Sequence, residues 1–322
     1  MRGESLDLKA LSARLRRFGR ARDPKAPPTP EAVKKKMLGQ ALIDGLLQVS
    51  GPLARPAGVT LERLWVDTVS HPSLSRAAGW LAEQPLPRPL LDRIIEAWIQ
   101  GYDVDMSVAE VPAEGFATLD AFFTRRLLPG ARPIDHEPDM VVSPADSVLK
   151  NLGRIDARAR IPEVKARTYG VAQLLGGALP DAAFIGGTYG VYYLSPRDYH
   201  RVHAPLGGLV RSVTVLPGAS YPVNAIGVRR VEGLFVKNKR TVFVLETDVG
   251  DVALVMVGAT NVGRITASVA PGERIDKGQE LGIFHLGSTV VLLTPAAAGL
   301  EYHRVHEGEQ VRVGQAVLKR GT

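Results

Sequence analysis

With seven histidines and no cysteine, the chain leaves its chemistry to serine, imidazole and carboxylate. Disulfides, thiolate zinc sites and cysteine nucleophiles are excluded together. Two histidines stand three apart in Tyr199-His200-Arg201-Val202-His203-Ala204-Pro205, where the proline disfavours helix at Ala204. In an extended segment the two rings face different ways. As metal ligands they lack a third partner at suitable spacing, and His303 and His306 only repeat the interval in a polar stretch. A general base for a serine, with the second imidazole as proton donor, suits the inventory better. Gly287-Ser288 precedes the apolar run Thr289 to Leu293, so Ser288 starts a strand; taken alone it is equally a turn serine bonding its own backbone. Asp146 follows a turn in Ser143-Pro144-Ala145-Asp146-Ser147 and precedes Val148-Leu149. There a carboxylate reaches the interior or closes an Asx turn. With Asp146 against His203 and His203 against Ser288, the three would form an acid, base and nucleophile relay of a kind that recurs on unrelated folds.

Two kinds of element must position these residues. Residues 31–110 read as helices near Ala32 to Val49, Leu61 to Val69, Ser73 to Glu83 and Arg88 to Tyr102, separated by Pro and Gly breakers. Trp65, Trp80 and Trp98 all fall there, as core residues or interfacial anchors. From about Val141 the pattern becomes short Val- and Ile-rich runs: Gly190 to Leu194, Leu209 to Leu216, Thr241 to Glu246, Val252 to Val257 and Thr289 to Leu293. These predict strands, with one short helix near Val171 to Leu175. Gly272-Glu273-Arg274-Ile275-Asp276-Lys277-Gly278-Gln279 and Gly308-Glu309-Gln310-Val311-Arg312-Val313-Gly314-Gln315 repeat a G-E-x-x-x-x-G-Q pattern 36 residues apart. Such paired strand-turn-strand units resemble the halves of biotinyl and lipoyl carrier domains, although no Met-Lys-Met tip is present. The expected fold class is α+β: a helical N-terminal region followed by a β-rich catalytic domain with a barrel-sandwich core.

Composition narrows the partners. Residues 1–36 hold 11 Lys and Arg against 4 acids, the whole of the net charge of +7. A basic surplus confined to one end argues against nucleic-acid binding by the folded domain. Leu8, Leu11, Leu15 and Phe18 fall at helical spacing among Lys9, Arg14, Arg16, Arg17 and Arg20: a basic amphipathic helix suited to an anionic bilayer, or a solvated charged helix or tail. No window of about 18 uninterrupted apolar residues appears, nor the short apolar core of a secretory signal.

In chain order, Phe122-Phe123-Thr124-Arg125 with Arg132-Pro133-Ile134, Ser143-Pro144-Ala145-Asp146, Tyr193-Leu194-Ser195-Pro196-Arg197-Asp198-Tyr199-His200-Arg201-Val202-His203, Val257-Gly258-Ala259 with Val262-Gly263, and Leu286-Gly287-Ser288-Thr289 resemble the phosphatidylserine decarboxylase family. The resemblance runs from about His71 to the C-terminus. It implies a proenzyme that cuts itself between Gly287 and Ser288 into a β chain, 1–287, and an α chain, 288–322. Ser288, deprotonated by His203 with Asp146 orienting the ring, would attack the Gly287 carbonyl; the ester would eliminate, and the dehydroalanine would hydrolyse to a pyruvoyl group with loss of ammonia. This pyruvoyl would be the cofactor, with no metal. It would form a Schiff base with the amine of phosphatidylserine and accept electrons as carbon dioxide leaves, giving phosphatidylethanolamine. By the same resemblance His200 protonates the carbanion and Tyr193 contacts substrate.

The implied organisation is a basic segment and linker over 1–30, a helical membrane-associating region over 31–110 and a catalytic domain over 111–322. The β and α chains would form a heterodimer that itself dimerises, peripheral on the cytoplasmic face of a bacterial inner membrane. Two departures from the family pattern stand out: Ser147 where Gly is usual, and Lys239 where Glu is usual between Asn238 and Arg240. Rival readings are a decarboxylase of a related serine lipid and a noncatalytic lipid-binding or carrier-like module. A serine hydrolase would want a Gly-x-Ser-x-Gly elbow, and Ser288 has none.

Overall fold

The computed structural model describes residues 79–162, 168–223, 225–259, 264–285 and 288–321. The helices expected over 32–49 and 61–69, the start of the one over 73–83, Trp65 and the basic segment 1–30 lie outside the described residues.

Helix α1, Arg88–Tyr102, begins after Pro87 and stops where Asp103 turns left-handed at φ 58°, its N–H bonding the Ile99 carbonyl. Leu91, Ile95 and Trp98 recur at spacings of four and three and form its buried stripe. They pack with Phe116 and with Phe122 and Phe123 of α2, Leu119–Phe123, which Thr118 caps through Ala121 N–H at 3.0 Å. Trp98 is thus a core residue, whereas Trp80 is 64% exposed. The Trp98 indole N–H also reaches the Pro196 carbonyl at 3.2 Å, fastening this helical unit to the loop that carries His200.

The remainder is mostly β, in open sheets rather than closed barrels. The strands are β1 Met140–Val142, β2 Ser147–Arg154, β3 Arg160–Pro162, β4 Thr168–Gly170, β5 Thr188–Leu194, β6 Arg201–His203, β7 Gly208–Leu216, β8 Arg240–Thr247, β9 Gly250–Gly258, β10 Arg264–Ala267, β11 Arg274–Ile275, β12 Glu280–His285, β13 Ser288–Leu293, β14 Leu300–Tyr302, β15 Gln310–Val311 and β16 Ala316–Arg320. Eight of them form one sheet in the order β11-β7-β8-β9-β13-β5-β2-β15, and two three-stranded sheets, β1-β16-β14 and β10-β12-β6, accompany it. The expected helix Val171–Leu175 is present as α3.

β13 lies inside the large sheet, antiparallel to both β5 and β9, so the strand is paired on both sides along its whole length, successive residues bonding alternately to one neighbour and the other. Its side chains alternate between two cores: Val290 and Leu292 join one face, Val291 and Leu293 the other. All four are at most 1% exposed. A near-continuous apolar run is what burial on both faces demands, and each such side chain contributes on the order of 1.5–3 kcal/mol.

The repeated G-E-x-x-x-x-G-Q segments take the same shape. Gly272 and Gly308 have φ of +88° and +87°, and Gly278 and Gly314 both have +84°, conformations open to glycine at little cost. Gln279 accepts the Asp276 N–H and Gln315 the Arg312 N–H, both at 3.1 Å. The first unit exchanges backbone bonds with Ala204 and Val210, the second with Ser143 and Leu149 in matching positions. Residues 143–149 therefore correspond to 204–210, a second repeat 61 residues apart in which Asp146 and Gly207 occupy equivalent places.

Candidate active site

Ser288 opens β13 and is fully buried, paired in register with Leu194 on one side and Gly258 on the other. Its hydroxyl lies 3.1 Å from Nδ1 of His200. The other ring nitrogen of His200, Nε2, is 3.0 Å from the Ser195 carbonyl. A carbonyl only accepts, so Nε2 carries the proton and Nδ1 presents a lone pair to the Ser288 O–H. The turn that sets this ring is closed by Asp198, whose carboxylate accepts the Ser195 N–H at 2.7 Å. Phe123 covers the imidazole with ring centroids 4.0 Å apart. Burial, then the positive charge of Arg125, depress the His200 pKa to about 3, so the ring is neutral at neutral pH.

His203 is placed differently. Its Nδ1 donates to the Gly278 carbonyl at 2.8 Å, and Nε2 accepts from the Tyr199 hydroxyl at 3.2 Å. Both ring nitrogens are engaged away from Ser288. Asp146 is held by Arg132, whose Nε lies 2.9 Å from both carboxylate oxygens while Nη2 lies 2.5 Å from Oδ2; the Val313 N–H adds a bond at 2.9 Å. The segments carrying Asp146 and His203 are neighbours, since the His203 N–H bonds the Pro144 carbonyl at 2.8 Å. Burial lowers the His203 pKa, and the Gly278 bond, Glu280 and the Asp146 charge counter it. The structure thus brings together Ser288 and His200, and holds Asp146 and His203 close by with other partners.

Tyr193 pairs in register with Thr289, so strand alternation puts it on the face opposite Ser288. The Lys150 amine lies over its ring at 5.8 Å. Gly287 lies outside the described residues. Ser147 is absent from the residues with positive φ, which explains why a side chain is tolerated there. Lys239 is half-buried at the entry to β8, and its neighbours Asn238 and Arg240 are buried and bond the backbone at Tyr221, Gly258, Gln173 and Leu174; nothing in the structure explains its reversed charge. Among the described residues no group of three or more His, Asp or Glu is arranged to hold a metal.

An open cleft of about 600 Å³ is lined by Arg132 together with residues including Arg304, Arg312 and Val313. Ser288 and His200, by contrast, are both 0% exposed and do not line that cleft. Ser195 Oγ, on the turn that holds His200, and two nitrogens of Arg125 are buried with no protein partner among the described residues; Thr289 Oγ1, likewise unpartnered, lies on the other face of β13. The sequence motifs contain Arg125, Arg132, Ser195, Asp198 and Tyr199, but no local spacing signals which of them touch. The Asp198 turn alone had a readable cue, an Asp three residues after a Ser-Pro start.

A sequence profile described as phosphatidylserine decarboxylase matches residues 119–319. The chain is similar to proteins named phosphatidylserine decarboxylase proenzyme from several bacteria. It is 39% identical to that of Brevibacillus brevis over 76% of this chain and 92% of the relative. With that of Anaeromyxobacter sp. the identity is 41% over the same shares, and with that of Azotobacter vinelandii 39% over 77% and 93%.

Proposed function

Because this chain belongs to the phosphatidylserine decarboxylase family, we propose that it is a self-processing carboxy-lyase that converts phosphatidylserine to phosphatidylethanolamine using a pyruvoyl group formed from Ser288. The observation that carries the site assignment is the 3.1 Å contact of His200 Nδ1 with Ser288 Oγ, with both residues fully buried. The residues present fit a ketone at position 288: it would stand at the start of a strand locked on both sides, beside an imidazole and away from bulk water. Such a group supplies an electron sink for an amine-bearing substrate that loses carbon dioxide.

The work of the chain's own residues follows from the tautomers. Nε2–H of His200, anchored on the Ser195 carbonyl, leaves Nδ1 to exchange a proton with whatever occupies position 288. Its depressed pKa makes any protonated state brief and strongly inclined to hand the proton on. Asp146 and His203 are proposed to serve the cleavage between Gly287 and Ser288. Their adjoining segments and the electrostatic reach of Asp146 to His203 support this, and the step requires His203 Nε2 to leave Tyr199. The His200 contact favours a second reading, in which His200 is also the base of cleavage.

The 61- and 36-residue repeats support a two-fold barrel-sandwich core. The basic segment 1–30 and residues 31–110 are proposed to bring the enzyme to an anionic lipid surface as a peripheral protein on the cytoplasmic face of a bacterial inner membrane, with β and α chains in a heterodimer that pairs again. No helix of the described residues is long and apolar enough to cross a membrane.

The test is direct. Purified protein should run as two fragments, the smaller with the mass of residues 288–322 bearing a pyruvoyl terminus, and should release carbon dioxide from phosphatidylserine vesicles. A chain that stays whole and leaves those vesicles unchanged overturns the reading.

A further inference from the structure

Arg125 is a buried cation with free hands. It is 5% exposed, and of its three guanidinium nitrogens only Nη2 has partners, the carbonyls of Arg197 at 2.9 Å and Asp198 at 3.4 Å. Nε and Nη1 have none among the described residues. The side chain follows α2, lies 5.5 Å over the Phe122 ring, and its charge is felt by His200. No carboxylate hydrogen-bonds it: Asp146 is bound by Arg132 and Val313, and Asp198 by the Ser195 N–H and Gln310, although the charges of Asp146, Asp198 and Asp105 favour its charged form from a distance. Although burial lowers its pKa to about 10, the group stays charged at neutral pH.

Leaving two guanidinium donors dry and unpaired is costly, and a site adjoining the reactive residue is where such a cost is offset by a ligand. We propose that Arg125 binds the anionic phosphodiester of the lipid substrate, presenting Nε and Nη1 as a fork to two phosphate oxygens. This rests on the decarboxylase reading given above. The substrate's carboxylate is the poorer candidate, because its charge must drain away as the bond breaks. A guanidinium on it would stabilise the ground state more than the transition state. The phosphodiester stands four bonds from the amine and keeps its charge throughout, so an anchor there fixes the headgroup without opposing the reaction.

The experiment measures equilibrium binding apart from turnover. Processed wild-type protein is titrated with short-chain phosphatidylethanol, a phosphodiester lipid without an amine, and with its uncharged methyl phosphotriester. The diester should bind at least about tenfold tighter. Equal binding by wild type overturns the inference without recourse to any variant. In Arg125→Met and Arg125→Lys, judged intact by complete cleavage on a gel, the preference should shrink about tenfold for Met and in part for Lys, which keeps the charge but loses the fork. A preference unchanged in both variants assigns Arg125 to holding the 195–200 loop and likewise overturns it. Phosphatidylserine turnover by wild type, assayed in parallel, separates the two levels: no turnover removes the decarboxylase reading, whereas turnover without diester preference removes only the role of Arg125.

Discussion

Nδ1 of His200 meets Oγ of Ser288 at 3.1 Å across 88 residues of sequence, while His203 spends its two nitrogens on Gly278 and Tyr199. The two imidazoles therefore part cleanly in variants. On the division of roles proposed above, in which His203 Nε2 leaves Tyr199 for cleavage, His200→Ala should still cleave and then lose turnover by about 10²-fold or more, whereas His203→Ala and Asp146→Asn should slow or block cleavage, and Ser288→Ala should abolish it. Gel and carbon dioxide assays on the same preparations decide this. An uncleaved His200→Ala beside a normally cleaved His203→Ala transfers the processing role to His200.

The Arg132–Asp146 pair has side chains only 13% and 8% exposed. Removing one member leaves the other charged and buried, so Arg132→Met should destabilise by about 3–5 kcal/mol. Urea unfolding is the measurement, made in a Ser288→Ala background that keeps every sample a single chain. A loss below about 1 kcal/mol would show that the pair is solvated enough to be dispensable.

Acid should weaken the fold through His200. Its folded pKa is near 3 against an ordinary 6.5, so between these values the unfolded chain binds the extra proton and stability falls as pH drops from about 6.5 toward 3. Above 6.5 both states are neutral at this ring and it contributes no slope. His203, also depressed by burial, acts with the same sign. In the Ser288→Ala background, unfolding midpoints at pH 7, 5 and 4 should decline less steeply for His200→Gln than for the parent; parallel declines would refute the assignment.

Cleavage before Ser288 would place β13 to β16 on the short fragment. Because β13 is hydrogen-bonded to both β5 and β9, the fragments should co-elute in native buffer and separate only in denaturant. Leu292→Ala, which empties a fully packed position, should cost about 2–5 kcal/mol. Fragments that drift apart on native gel filtration would contradict this.

Deleting residues 1–22, which carry much of the basic surplus, should weaken binding to anionic vesicles at low salt and matter less as salt is raised. Vesicle flotation with and without salt reads this out, and unchanged flotation retires the anchor proposal.

Long apolar strands were legible. β5, β7, β8, β9 and β13 fall within two residues of their expected bounds, and α1 matches its expected range, because burial on two faces or along one stripe writes a strong pattern. Strands of three residues, such as β3, β4 and β14, carry too few side chains to show a period. The 36-residue repeat was visible through its glycines and glutamines. The 61-residue repeat was hidden, because 143–149 and 204–210 share backbone bonds rather than side chains. At the site, residue types were readable and partners were not. That Asp146 would meet Arg132 rather than His203 is decided by how the 130–135 segment packs against the second repeat, a choice no local spacing records.

The position of Ser288 between Leu194 and Gly258 has a consequence for the lifetime of the molecule. On the proposed chemistry the reactive group is part of a strand end, so it can neither diffuse away nor be replaced from a cellular pool. Any side reaction that consumes it retires the whole polypeptide. Output per molecule is then set by how many cycles pass before one misfires, and replenishing activity means synthesising new protein.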